Sequence, residues 1–143
     1  MAFASPETIR ENDEIPVLRK MVDAETLVRY AGASDDYVYL HWNKPRVLEE
    51  GLPDIIVHGW LTFAYMCQSV SAWLPPDIAE ITKSSVRYHR PTYPGEITCS
   101  GRVTKVEASG TSKFIDVELW ACGADGEITT TGTMQLVVKT PAV

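Results

Sequence analysis

The second half of the chain alternates. Apolar or small residues fall on every second position at Ile97, Cys99, Gly101 and Val103, again at Ile115, Val117, Leu119 and Ala121, and again at Met134, Leu136 and Val138. A period of two predicts antiparallel strands with one face turned to a core. Turn residues separate the runs at Pro94-Gly95, Ser109-Gly110 and Gly123-Ala124-Asp125-Gly126. One further strand is predicted over Lys83 to Arg90, ahead of Pro91.

The first half reads differently. Ile15 to Val22 suits a short first strand, and Asp23 suits the cap of a helix whose Leu27, Val28 and Ala31 share one face. That helix is predicted to stop near Gly32, because Ser34-Asp35-Asp36 favours turn geometry. Tyr37 to Asp54 is irregular apart from a helical turn over Arg46 to Glu50. The longest apolar run, Val57 to Leu74, approaches the length of a membrane span. His58, Thr62, Gln68, Ser69 and Ser71 interrupt it and Pro75-Pro76 ends it, so it predicts a core helix from His58-Gly59 to Trp73. A helix this apolar is expected to bury all its faces, and one curved sheet wrapped around it can do so. The expected fold class is α+β, a curved antiparallel sheet around a long central helix.

Composition narrows the possible functions. At 143 residues and 45% hydrophobic content, residues 1–143 read as a single domain with a full core. A net charge of -6, with no Lys/Arg stripe, argues against binding nucleic acid through its phosphates. Cys67, Cys99 and Cys122 are scattered without CxxC spacing, which gives no support to structural zinc or a disulfide framework. They are expected to be buried thiols in a reducing compartment. Met1-Ala2-Phe3-Ala4-Ser5-Pro6 lacks the features of a signal peptide, so no membrane association and a cytoplasmic location are expected.

Two segments hold the candidate chemistry. Tyr30 to Trp42 carries Asp36 and His41 in an Asp-x(4)-His spacing, and Ile55 to Thr62 carries His58-Gly59 at the start of the long helix. Downstream, Arg87-Tyr88-His89-Arg90-Pro91-Thr92-Tyr93-Pro94-Gly95-Glu96 forms a strand-and-turn motif. Taken singly, each residue has an ordinary reading: Asp36 as a turn residue, His41 as an exposed loop residue, His58 as a satisfied core histidine. Together and in this order, the three segments resemble the MaoC-like, (R)-specific enoyl-thioester hydratase family, over roughly residues 15 to 138.

The resemblance implies a hot-dog fold and a hydratase or dehydratase acting on a 2-enoyl thioester carried by coenzyme A or an acyl carrier protein. Asp36 and His41 would be the acid–base pair that holds a water, with the division of roles between them left open. Gly59, at a helix N-terminus, would donate its N–H to the thioester oxygen. His58, Tyr39, Trp60 and Cys67 are further candidates for contact with substrate, Cys67 through i, i+4, i+8 spacing from Gly59. Arg87 and Arg90 could reach phosphates of the carrier or be solvated strand charges. No metal or redox cofactor is implied, and a homodimer, or a heterodimer with a related subunit, is expected. The family's Gly-Asp-x-Asn-Pro-x-His motif is altered here: Asp35 stands in the glycine position and Val38-Tyr39 replace Asn-Pro. That departure keeps two other functions in view, a noncatalytic partner subunit and an acyl thioesterase.

Overall fold

The computed structural model describes residues 4–110 and 112–139. The elements run β1 (Glu14–Val22), α1 (Ala24–Ser34), α2 (Lys44–Glu49), α3 (Gly59–Trp73), β2 (Ala79–Tyr88), β3 (Gly95–Ser109), β4 (Ser112–Cys122) and β5 (Ile128–Lys139). Among the described residues the strands form one antiparallel five-stranded sheet in the order β1-β3-β4-β5-β2. This is the α+β hot-dog architecture, with α3 lying along the concave face.

The period-two pattern builds that concave face. Ile97, Cys99 and Val103 of β3, Ile115, Val117, Leu119 and Ala121 of β4, and Met134, Leu136 and Val138 of β5 are all buried. They pack against Leu61, Met66, Val70 and Trp73 of α3 in one continuous core. Gly101 lies at the middle of this surface, paired with Ile15 on one side and Leu119 on the other. A Cβ there would run into the Glu118 carbonyl oxygen and the Leu119 side chain, so the position requires glycine for close approach.

The N-terminal elements differ from expectation in detail. Asp23 caps α1 by accepting the Thr26 N–H at 2.8 Å. The helix runs past Gly32 to Ser34, and Asp35 ends it in the left-handed region at φ 60°. Leu27 and Ala31 are buried, but Val28 is 57% exposed, because the stripe facing the core is too narrow to include it. β2 starts at Ala79 and ends at Tyr88, earlier at both ends than predicted. Cys99 is buried, whereas Cys67 and Cys122 are only half-buried.

The main correction concerns α3. The sheet covers one side of it, and the other side stays open: Trp60 is 64% exposed and Ala64 and Gln68 are exposed. Five strands in a single layer supply only one concave surface, so the opposite side of the helix is left to solvent in the lone chain. No helix among the described residues is long and apolar enough to cross a membrane.

Replacing Gly101 with Ala should force β3 and β4 apart. Urea unfolding is expected to show a loss of about 1–3 kcal/mol, the usual cost of overpacking. An unchanged midpoint would mean that the strands relax freely around the new methyl.

Candidate active site

The N-terminus of α3 is held between two stretches of chain. Ile56 donates its N–H to the Leu40 carbonyl at 2.8 Å, and Val57 donates to the Thr92 carbonyl at 2.8 Å. Residues 55–58 therefore bind the loop carrying Asp36 and His41 on one side and the segment after β2 on the other. Val57 and His58 are buried, and Gly59 opens the helix. The Gly59 N–H belongs to the first turn, where backbone donors have no intrahelical acceptor.

His41 is fixed by the same stretch. Its Nδ1 lies 2.6 Å from the Ile56 carbonyl oxygen, and a carbonyl only accepts, so Nδ1 carries the proton. In the neutral ring this leaves the lone pair on Nε2. That atom faces Asp36 Oδ2 at 3.7 Å, with the two side chains 13% and 39% exposed. The gap is too long for a direct hydrogen bond and suits a bridging water. Asp36 is ordered locally: its N–H reaches Ser34 Oγ, and its Oδ1 accepts from the Val38 N–H, both at 3.3 Å.

Beside this pair lies a cleft of about 290 Å³, walled by His41, Val57, Gly59, Thr62, Tyr88 and Thr92 among others. That volume is at the small end for a ligand site. Tyr88 lies against Gly59 so closely that a Cβ at residue 59 would sit 2.9 Å from its Cζ. A methyl here would have to push the Tyr88 ring aside. Burial pushes the Tyr88 hydroxyl pKa up, which keeps it a protonated donor. The Thr62 hydroxyl is buried and has no hydrogen-bond partner.

The structure brings Asp36, His41, His58 and Gly59 together and places the other candidates elsewhere. Tyr39 turns toward α2, where its hydroxyl donates to Glu50 Oε2 at 2.8 Å and Arg46 covers its ring at 3.6 Å. Trp60 points to the open side of α3 and packs edge-on against Phe63. Cys67 joins the margin of the core, and burial pushes its thiol pKa up. His58 does not wall the cleft: it is 1% exposed, and its Nε2 lies 3.1 Å from the Asp36 carbonyl oxygen. Arg90 pairs with Asp125 at 3.2 Å at the edge of the cleft, while Arg87 is exposed. Sequence reading missed the Ile56 carbonyl, Thr62 and the contact of Tyr88 with Gly59. Tyr88 lay within a motif already singled out, but nothing in the chain indicated which residue it would meet.

Asp36, His41 and His58 each bring a potential ligand atom within 4.8 Å of the others. The two imidazoles, however, are stacked with centroids 3.7 Å apart and planes 19° from parallel. Their in-plane lone pairs therefore run side by side, whereas a zinc ion needs donors converging at about 2.0–2.1 Å. The group fits proton transfer through water better than metal coordination.

Comparison with known proteins identifies the family and the fold. Residues 4–120 match the MaoC like domain family, and the chain belongs to it. It is 27% identical over 113 residues to the protein MaoC of Klebsiella aerogenes, covering 75% of this chain and 34% of that protein. The chain thus spans about a third of that relative's length. Among solved structures it is similar to a chain of the ChsH1–ChsH2 complex of Mycobacterium tuberculosis, at 25% identity and TM-score 0.79 over 92% of this chain and 99% of that one. The (R)-hydratase of A. caviae involved in PHA biosynthesis shares the fold, with 20% identity and TM-score 0.78 over 94% and 99%. So does a MaoC-like dehydratase of Rhodospirillum rubrum, with 19% identity and TM-score 0.83 over 96% and 98%.

Desolvation pushes the His58 pKa below the usual 6.5, opposed in part by its hydrogen bond to the Asp36 backbone. The unfolded chain then takes up this proton at a higher pH than the folded one. The stability from neutral His58 is complete above about pH 6.5 and is lost as pH falls from there through the folded value. Urea unfolding across that range should show stability falling with acid, with a smaller slope in His58→Gln. Equal slopes in the two proteins would assign the acid sensitivity to other groups.

Proposed function

We propose that this chain is a hydratase/dehydratase that adds water reversibly across a trans-2-enoyl thioester, carried by coenzyme A or an acyl carrier protein, to give the (R)-3-hydroxyacyl thioester. The observation behind this reading is the 3.7 Å gap between Asp36 Oδ2 and His41 Nε2, beside a cleft with Gly59 at the helix N-terminus in its wall. A water held in that gap loses a proton to the pair as its oxygen bonds to C3. The C2=C3 π electrons move toward the carbonyl, and the resulting enolate oxygen takes the Gly59 N–H and the field of the helix. The pair then returns one proton to C2, so its charge is unchanged by a turnover. Dehydration runs the same steps backwards. No cofactor enters these steps. Membership of the MaoC like domain family and the shared fold of the A. caviae (R)-hydratase support the reading.

A second reading is a subunit that completes the site of a related chain. The likeness to a chain of the ChsH1–ChsH2 complex favours it, as does the open side of α3 around Trp60 and Ala64. Under the first reading the same surface would meet a second copy of this chain in a homodimer.

Loss of enoyl-thioester absorbance, followed with crotonyl- and longer enoyl-CoAs, tests the proposal. Asp36→Asn and His41→Ala are each expected to lower kcat by roughly 10²–10⁴-fold with the fold retained. Gly59→Ala should lower it as well, through the collision of its methyl with Tyr88. No turnover by the parent alone, with activity appearing on addition of a related hot-dog subunit, would favour the second reading. Release of free thiol in place of hydration would make the protein a thioesterase.

A further inference from the structure

His58 touches both halves of the reactive pair without reaching the cleft. The Asp36 carbonyl accepts from it at 3.1 Å, and its ring stacks face to face on His41 at 3.7 Å. Tyr30 closes the surround edge-on, with ring centroids 4.9 Å away. His58 also occupies the N-cap position of α3, directly before Gly59, without a side-chain capping bond. One buried ring is thus in contact with the backbone of Asp36, with the face of His41 and, through the chain, with the Gly59 donor. We propose that His58 is a positioning residue that sets the spacing of Asp36 and His41 relative to Gly59, and that it does so as a neutral imidazole with its only proton on Nε2.

Hydrogen-bond chemistry supplies the tautomer. The Asp36 carbonyl can only accept, so Nε2 must donate. Nδ1 is buried and has no partner among the described residues. A second proton there would be an unsatisfied buried donor and would place a cation against the His41 ring, and both are costly. Ile56 holds a proton on His41 Nδ1, so the neutral His41 ring is the opposite tautomer, with its lone pair on Nε2. Two stacked histidines therefore carry their single protons on different nitrogens, each fixed by a backbone carbonyl. Only the His41 lone pair faces the Asp36 carboxylate.

This inference rests on the hydratase reading for its catalytic meaning, and its test separates the two. In the full-length protein, ¹⁵N imidazole NMR, assigned with His41→Ala and His58→Gln, reads both tautomers without substrate. Opposite tautomers are expected at neutral pH, and a cationic or Nδ1-protonated His58 would overturn the proposal even if no thioester is turned over. In the kinetic arm, His58→Phe keeps a ring to stack but loses the donor, and His58→Gln keeps a donor but loses the ring. His58→Phe should lower kcat by roughly 10–100-fold with KM unchanged, as expected for a displaced reactive group. His58→Gln should recover part of that loss. Parental kcat in both variants would overturn the positioning role. A raised KM with parental kcat would make His58 a substrate contact instead.

Discussion

The 2.6 Å hydrogen bond from His41 Nδ1 to the Ile56 carbonyl joins the two parts of this molecule that the proposed chemistry needs. His41 sits on an irregular loop after α1, and irregular loops do not hold a side chain in place by themselves. Ile56 belongs to the short extended stretch that becomes α3. The bond fixes the ring's orientation and its tautomer together, leaving Nε2 free to face Asp36. A neighbouring backbone bond, from the Ile56 N–H to the Leu40 carbonyl, ties the same two stretches a second time. A hydrogen bond inside a partly buried, water-poor site is worth more than one in solvent, and breaking it leaves a polar group stranded.

That constraint works because α3 itself cannot shift. Met66 and Val70 are fully enclosed, and Leu61 and Trp73 nearly so, by the inward faces of the strands. Each such side chain contributes on the order of 1.5–3 kcal/mol of burial. The sheet thus fixes the helix, the helix fixes residues 55–59, and those residues fix the loop. The site is assembled at the end of a packed element, where the Leu61 and Thr62 N–H groups bond the His58 carbonyl and the Gly59 N–H has no intrahelical acceptor. Rigidity comes from the core, and the proposed reactivity rests on the few groups that the core leaves unpaired.

Much of this was legible in the sequence. Alternation at Ile97–Val103, Ile115–Ala121 and Met134–Val138 identified the concave face of the sheet because a strand's side-chain period is fixed by geometry. The start of α3 at Gly59 followed from the end of the irregular stretch and the onset of the apolar run. Asp36 and His41, paired in the sequence only through the family resemblance, lie 3.7 Å apart with Gly59 beside His41 in the cleft wall, and spacing alone gives neither that gap nor the tautomer. Tyr39 and Trp60 were misplaced for a physical reason. Being near Asp36 or Gly59 in sequence does not say which way a side chain turns, and Tyr39 found Glu50 and Arg46, while Trp60 fell on the helix side that the sheet leaves open. His58 was named as a candidate substrate contact, but it lies buried outside the cleft, and its stacking on His41 depends on two segments meeting in space. The open side of α3 was also missed, because an apolar helix looks the same in sequence whether its own sheet or another chain covers it.

His41 lines the cleft and Asp36 Oδ2 lies 3.7 Å from its Nε2, so a single water held by this pair implies that hydroxyl and proton add to the same face of the double bond. Hydration of a trans-2-enoyl thioester in D₂O, with the product's C2–C3 proton coupling read by NMR, tests this directly. A single diastereomer from syn addition is expected, with deuterium at C2 and the (R) configuration at C3. Anti addition, or a mixture of C2 epimers formed at the catalytic rate, would contradict a single Asp36–His41 pair handling both ends of the water.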